Sequence, residues 1–354
     1  MISIKKLLMV WQCSFFLPIF LMVTVKAAAR SQFSTAFEKR EVDFESPQSS
    51  DKSQGVITRH GTLVLYPDAQ ATILICHGFM CDGHDVGFLR GFFLPEGRFN
   101  FLTFDFRAHG DCAQGQCCTF GCNEAFDVIA AAEYLKTVPE CQNKPLLVYG
   151  FSMGSVAAIE AQARKPVFNA MILDCPFDST ENVLKKSVDC LKFSLFGYEF
   201  AMPGRSLLHE YIYHPYVQAF VKVLLKTVAH MDHKNIQTYM YPVNPAESVK
   251  KITIPCFFIH CKNDEKIPIS AVDAVFEGAA GPKELWKTNG RRHYDSLFYN
   301  PELYKQKLQN FLDRVLSGDI NNLPKQGCIV VDPDDGAVPM EAKSNSELPN
   351  AALR

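Results

Sequence analysis

The chain has 354 residues, 47% of them hydrophobic, which is ample for one large α/β core or two smaller ones. Its 36 basic and 38 acidic residues leave a formal net charge of -2, and no basic tract accompanies aromatic platforms, so nucleic acid is excluded as an expected partner. No internal repeat is visible, which removes solenoids and propellers.

At the start, Lys5 and Lys6 precede an apolar run over 7–25, followed by Lys26-Ala27-Ala28-Ala29. That order of charge, apolar run and small residues predicts a signal peptide or signal anchor over 1–29. The run is also just long enough to span a bilayer, so the protein is expected to be exported: periplasmic, secreted, or membrane-anchored by residues 7–25. Residues 30–57, rich in Ser, Glu, Asp and Gln, read as a polar linker.

From there short β-rich runs alternate with helical patterns, which predicts a mostly parallel sheet covered on both faces. The predicted strands are 61–66, 71–76, 99–104, 145–149, 170–173, 254–260 and 283–286. A helix is expected over 123–136, where Ile129, Ala132, Tyr134 and Leu135 share a face. The stretch 177–250 breaks the alternation. It shows no clear strand, and Val217, Phe220, Val221, Leu224, Leu225 and Val228 recur at helical spacing within 216–231. An insertion of that length reads as a helical lid. Phe193, Phe196, Tyr198, Phe200 and Met202 there either line an acyl pocket or pack the lid onto the core. Pro301 opens a last helix carrying Leu303, Leu308, Phe311, Leu312 and Val315. Residues 317–354 read as a loosely held polar tail in which 328–331 pairs locally.

The chain has thirteen cysteines, and export makes disulfides possible. Cys112, Cys117, Cys118 and Cys122 share one loop with Cys81 nearby, and disulfide pairing is the leading expectation there, with free thiols and a metal as alternatives. The adjacent pair Cys117-Cys118 lacks the spacing of zinc ligands, so no metal is expected. Cys76 and Cys256, inside apolar runs, read as small buried hydrophobes.

The chemistry centres on Gly150-Phe151-Ser152-Met153-Gly154, which lies between the strand 145–149 and a helix-favouring stretch. A G-x-S-x-G in that setting stands the serine hydroxyl on a sharp turn above the sheet edge, and the glycines allow helix and strand to approach. A serine needs a base to take its proton, and the base needs an orienting acid. Strand 254–260 runs into Asn263-Asp264, and 283–286 leads through Asn289-Gly290 into Arg291-Arg292-His293. Both loops are expected at the carboxyl edge of the sheet, where such sheets bind ligands.

In these motifs the chain resembles the α/β-hydrolase superfamily over about residues 58–316. They include His77-Gly78-Phe79, Asp105-Phe106-Arg107-Ala108-His109-Gly110, the Ser152 turn, Asp174-Cys175-Pro176-Phe177, the Asp264 loop and His293. Its flavour is that of the serine-aminopeptidase and monoacylglycerol-lipase-like branches. The resemblance implies an α/β-hydrolase fold, with a mostly parallel central sheet flanked by helices and a lid inserted before the strand that precedes the acid. It implies Ser152 as nucleophile, His293 as general base and acid, Asp264 as orienting carboxylate, and the backbone N–H groups of Phe79 and Met153 as the oxyanion hole. No cofactor or metal is implied. Cys261 stands where a glycine is usual, and Arg291-Arg292 stand where small residues usually precede the histidine. Those arginines are expected to narrow the site or bind an anionic group.

His77 and His109 read as braces for loops, and Asp105 with Arg107 as a structural pair. The reading that follows is an exported hydrolase of acyl esters, with a small-molecule or lipid-like acyl substrate. Two alternatives stay open: a peptidase using Asp295, Glu199 or Glu210 to recognise a free amino terminus, and a binding module without catalysis.

Overall fold

A computed structural model describes residues 34–333, apart from 111–112, 114, 190–191, 196–197, 202–203, 229–235 and 323–325. The run 7–25, the residues after 333, Cys112, Phe196 and Met202 lie outside the described residues, as do the side chains of Phe193, Tyr198 and Glu199. Among the described residues no helix is long and apolar enough to cross a membrane.

The described strands are β1 (Glu38–Pro47), β2 (Val56–Leu65), β3 (Ala71–Cys76), β4 (Phe99–Phe104), β5 (Leu146–Phe151), β6 (Ala170–Asp174), β7 (Lys192–Leu195), β8 (Tyr198–Ala201), β9 (Cys256–Cys261), β10 (Lys283–Thr288) and β11 (Cys328–Val331). The helices are α1 (Glu124–Thr137), α2 (Met153–Arg164), α3 (Thr180–Asp189), α4 (Arg205–Glu210), α5 (Pro215–Val228), α6 (Pro245–Ser248), α7 (Ile269–Gly278), α8 (Asp295–Tyr299) and α9 (Pro301–Ser317). Nine strands form one sheet in the order β1-β2-β4-β3-β5-β6-β9-β10-β11. β1 and β2 pair antiparallel, as do β2 and β4, and every pair from β4 to β11 is parallel.

The central strands are buried on both faces, as a parallel sheet requires. Alternate side chains feed two separate layers of core. Leu74, Cys76, Val148 and Phe258 pack under α1, α2 and α7 with Val128, Ala132, Ala158 and Val275. Ile73, Ile75, Tyr149 and Phe257 pack on the other face against Tyr304, Leu308, Phe311 and Leu312 of α9. Burying each large side chain of this kind stabilises the fold by about 1.5–3 kcal/mol. The α9 boundaries follow from its caps: the Asn300 side chain accepts from the Leu303 amide at 3.1 Å, and Gly318 closes the helix at φ 84.

Three features depart from the expectations. The stretch read as a linker, 30–57, contains β1, in which Val42, Phe44 and Ser46 turn inward between the exposed Glu41, Asp43 and Glu45. Outward charges are how an edge strand discourages further pairing, and they give it a polar composition. The lid is not wholly helical, since an antiparallel β7–β8 hairpin lies between α3 and α4. Its interior of Leu184, Val188, Ile212 and Val221 is separate from the main core. Finally, β11 pairs with β10 rather than locally. The residues after it dock as well: Trp286 Nε1 donates to Asp332 Oδ1 at 2.8 Å, Lys262 Nζ to the Asp332 carbonyl at 2.9 Å, and Asn289 Nδ2 to the Pro333 carbonyl at 2.6 Å.

Candidate active site

β5 ends at Phe151 and α2 begins at Met153, which leaves Ser152 alone on the turn between them at φ 53, ψ -119. Such backbone strain in a non-glycine residue costs on the order of 1–3 kcal/mol and persists only where neighbours enforce it. Here they do. A Cβ on Gly150 would stand 2.7 Å from the Gly154 carbonyl carbon, and one on Gly154 would stand 2.2 Å from the Cys76 carbonyl oxygen. Ser152 N donates to the Asp174 carbonyl at 2.7 Å, and Ser155 Oγ donates to the Gly150 carbonyl at 2.6 Å.

Ser152 Oγ lies 3.0 Å from His293 Nε2, and His293 Nδ1 lies 2.5 Å from Asp264 Oδ2. The fold thus brings the three side chains into one hydrogen-bonded line. The other Asp264 oxygen accepts the amides of Lys266 at 2.8 Å and Ile267 at 2.9 Å. Burial pushes this carboxyl up, but the hydrogen bond and charge of His293 and the Ile267 amide outweigh it, holding Asp264 below the ordinary carboxylate range. An anionic Asp264 keeps the imidazole proton on Nδ1 and leaves Nε2 free to accept the proton of the serine. The buried His260 donates from Nε2 to the Ile267 carbonyl at 3.0 Å and so closes the acid loop from behind.

Loop packing accounts for the first of the two departures from the resembled pattern. A Cβ on Gly290 would stand 2.5 Å from Cys261 Sγ, so a glycine in the histidine loop makes room for the thiol in the acid loop. Arg291 and Arg292 are both exposed. The Arg291 amide donates to Asp295 Oδ2 at 2.8 Å, which commits one acid named for amino-terminus recognition to the loop backbone. Glu210, another of those acids, is exposed at the end of α4.

Met153 is the first residue of α2, where amides have no acceptor within the helix. Phe79 follows Gly78 at the end of β3, and a Cβ on Gly78 would touch the Phe151 ring at 3.0 Å, so the two turns meet beside Ser152. His77 braces this region, donating from Nδ1 to the Gly78 carbonyl at 2.8 Å and accepting the Phe106 amide on Nε2 at 3.0 Å. His109 accepts the Met80 amide at 3.3 Å. Burial keeps both rings neutral, with His77 pushed down to about 3. Arg107 does not pair with Asp105. Its guanidinium forks onto Asp127 of α1 at 2.7 and 3.0 Å, while Asp105 accepts the Gly83 amide at 2.7 Å. The bidentate geometry and full burial at Asp127 favour that partner.

Among the described residues no disulfide is formed. The disulfides expected in the cysteine loop are not found among its described members, and Cys112 lies outside them; the loop instead packs against the lid. Cys118 forms an isolated bridge with Thr238, with backbone bonds of 2.8 and 2.9 Å to Gln237 and Tyr239, and turns its thiol onto Met153 Sδ at 3.4 Å. Among the described residues one cluster has metal-ligand chemistry, Cys175 with Asp264 and His293, their ligand atoms within 4.8 Å of one another.

A cavity of about 420 Å³ lies between core and lid, walled by Phe79, Phe120, Leu184, Val221 and Met240. Gln218, also on its wall, is occupied by the Met240 backbone, accepting at 2.9 Å and donating at 2.8 Å. That leaves a largely apolar space of small-molecule size reaching Phe79, with Gln237 and Thr238 also on its wall.

Several further residues around the site were given no role from the sequence. Asp174, fully buried, accepts from Tyr304 at 2.7 Å and from the Cys175 thiol at 3.0 Å, and burial pushes its carboxyl up. Lys186 of α3 reaches the acid loop across the lid seam. Tyr294 follows His293 at φ 69.

The alpha/beta hydrolase family model matches residues 73–306, well over half of the chain, and the chain belongs to that family. The uncharacterized protein YqkD of Bacillus subtilis is 28% identical over 291 residues, covering 78% of this chain and 86% of that protein. The Pyrococcus furiosus esterase Pf2001 superimposes with a TM-score of 0.57 at 24% identity, over 80% of this chain and 94% of that one. The peroxisomal alpha-beta-hydrolase Lpx1 of Saccharomyces cerevisiae does so at 0.53 and 15% identity, over 80% and 91%. At these identities the solved structures share the α/β-hydrolase fold with this chain.

Proposed function

We propose that this protein is a serine hydrolase that cleaves carboxylic acyl esters through a covalent acyl-serine. One observation carries the reading: the unbroken line from Ser152 Oγ to His293 Nε2 at 3.0 Å and from His293 Nδ1 to Asp264 at 2.5 Å. Ser152 Oγ attacks the ester carbonyl as His293 takes its proton, and the amides of Phe79 and Met153 receive the oxyanion. His293 then gives that proton to the leaving alcohol. Water, deprotonated by the same nitrogen, releases the acid and restores the serine.

The apolar cavity beside Phe79 supports an acyl group with a hydrocarbon body, lipid-like or thioester-linked substrates included. The charge and small-residue flanks of the run 7–25 support export, with membrane association through that run where it is retained.

The decisive experiment is labelling of the native protein by a fluorophosphonate, alongside turnover of p-nitrophenyl acyl esters. Ser152→Ala is expected to abolish labelling and to lower kcat on the order of 10⁶-fold. Turnover retained in Ser152→Ala would point to another nucleophile, and absence of labelling in the native protein to a binding module. Aminoacyl amides assayed in parallel separate the esterase from the peptidase.

A further inference from the structure

Asp174 ends β6 as a buried carboxylate outside the proton line of Ser152, His293 and Asp264. Among the described residues no Lys or Arg pairs with it. Three donors converge on it instead: the Tyr304 hydroxyl at 2.7 Å and the Tyr149 hydroxyl at 3.4 Å on Oδ2, and the Cys175 thiol at 3.0 Å on Oδ1. A carboxyl group that only accepts is held as the anion. A buried charge without a cation is costly, and such groups gather where a reaction uses them. The same Cys175 thiol has its sulfur within 4.8 Å of ligand atoms of both Asp264 and His293. Left-handed backbone at φ 52 and an amide bond of 2.9 Å to the Ile259 carbonyl hold it there. One thiol therefore separates the Asp174 anion from the catalytic line. Charges on the order of 8 Å apart, at an effective dielectric of about 20, displace each other's titration by about one pH unit.

We propose that Asp174 is a positioning residue that acts through His293: a second anion, beyond Asp264, that favours the imidazolium formed as Ser152 gives up its proton. This rests on the hydrolase reading above. No proton reaches Asp174. In the resting enzyme two carboxylates repel each other near a neutral ring. As the Oγ–C bond forms and the serine proton moves to His293 Nε2, a cation appears that attracts both. That attraction is absent from the ground state, which is the condition for lowering a barrier. Burial pushes the Asp174 carboxyl up, and the Cys175 thiol, the Tyr304 hydroxyl and the His293 charge pull against it. The other groups around the pair are accounted for. Burial keeps His260 neutral, 3.9 Å from Asp264 Oδ2, and Tyr294 lies against the His293 ring. Arg291 and Arg292 on the same loop are exposed. Beside Asp174, burial keeps the Tyr149, Tyr304 and Cys175 protons in place, and the Cys261 thiol of β9 faces Ser296 Oγ at 3.1 Å.

Asp174→Asn tests this, because it keeps the shape and the backbone carbonyl that holds the Ser152 amide and removes the charge alone. Taking an anion away from an imidazole lowers its titration. The His293 ring titration, followed by NMR, is expected to fall by about one pH unit, and the acid limb of kcat/KM on acyl esters by the same amount. Per site titrated by the fluorophosphonate, kcat should fall about 10-fold at unchanged KM. A merely structural role would reduce the fraction of sites titrated and leave the ring titration where it was. An unmoved or raised His293 titration overturns the proposal. Tyr304→Phe serves if the first variant does not fold: it takes a donor from the anion, so the ring titration should move the same way by less, and no movement there is equally fatal. If the native protein hydrolyses no ester, the esterase reading fails, while the ring titrations still measure what Asp174 does to His293.

Discussion

Lys186 Nζ, on lid helix α3, donates to the carbonyls of Glu265 at 2.6 Å and Lys266 at 3.0 Å, so the lid and the loop carrying Asp264 share one ammonium. Lys186→Met keeps the aliphatic stem and removes both bonds. Because the site is partly open to water, the cost to global stability is expected to be about 1 kcal/mol or less. The local effect should be larger. The amides of Lys266 and Ile267, which bind Asp264, should exchange hydrogen about 5–10-fold faster, with kcat falling several-fold at constant KM. Unaltered exchange at those two amides would mean the ammonium contributes nothing to the loop.

Asp264 gives a pH dependence of defined sign. Its folded-state pKa is lowered, so its anion adds stability that is fully present above the unfolded value of about 3.9 and is lost as pH falls through the lower folded value. Urea midpoints of wild type and Asp264→Asn should therefore differ by a constant amount above about pH 4, and the gap should close below it. A gap already closing near neutrality would contradict the anion. The same variant should lose about 10⁴-fold in kcat, since an amide no longer enforces the Nδ1–H tautomer.

Arg107 and Asp127 form a buried pair, 3% and 0% exposed at the side chain. Arg107 also donates to the carbonyls of Gln48 at 2.7 Å and Pro47 at 3.0 Å, tying β1 to the loop after β4. Arg107→Met leaves a buried carboxylate without its partner and is expected to cost about 3–5 kcal/mol in urea unfolding. Adding Asp127→Leu should recover most of that loss. A double variant no more stable than the single one would show that the backbone contacts dominate.

Ser187 lines the lid cavity, and its hydroxyl is spent on the Val183 carbonyl of its own helix at 2.8 Å. Ser187→Phe is expected to fill part of the space while leaving the reacting groups untouched. For an octanoyl ester kcat/KM should fall at least about 10-fold, roughly the worth of a few lost apolar contacts, while acetyl ester turnover stays as it was. Equal losses on both esters would place the chain of the substrate elsewhere.

Ser152 was legible because two glycines and an apolar strand left few other conformations for that pentapeptide. Asp264 and His293 were legible because each follows a run that only a buried strand accommodates. β1 was not: Val42, Phe44 and Ser46 alternate, but within a segment whose charges outnumber them. Arg107 was matched to the acid two residues away, whereas a guanidinium reaches several ångströms and found Asp127 on α1. The cysteine loop was read from compartment and count, which say nothing of an isolated bridge joining Cys118 to Thr238 of the lid. Tyr294 sits on a left-handed turn and Lys186 on a seam between distant segments, and neither leaves a periodic trace.

The docked segment from Cys328 to Pro333 has a practical bearing. It grips Lys262, two positions before Asp264, and Asn289, four before His293. Expression boundaries drawn at the end of α9 would preserve nearly the whole scaffold yet unfasten the two arms whose tips must meet at Ser152. Proteolytic trimming or a bulky fusion near residue 333 is expected to loosen both arms without altering a single group inside the cleft.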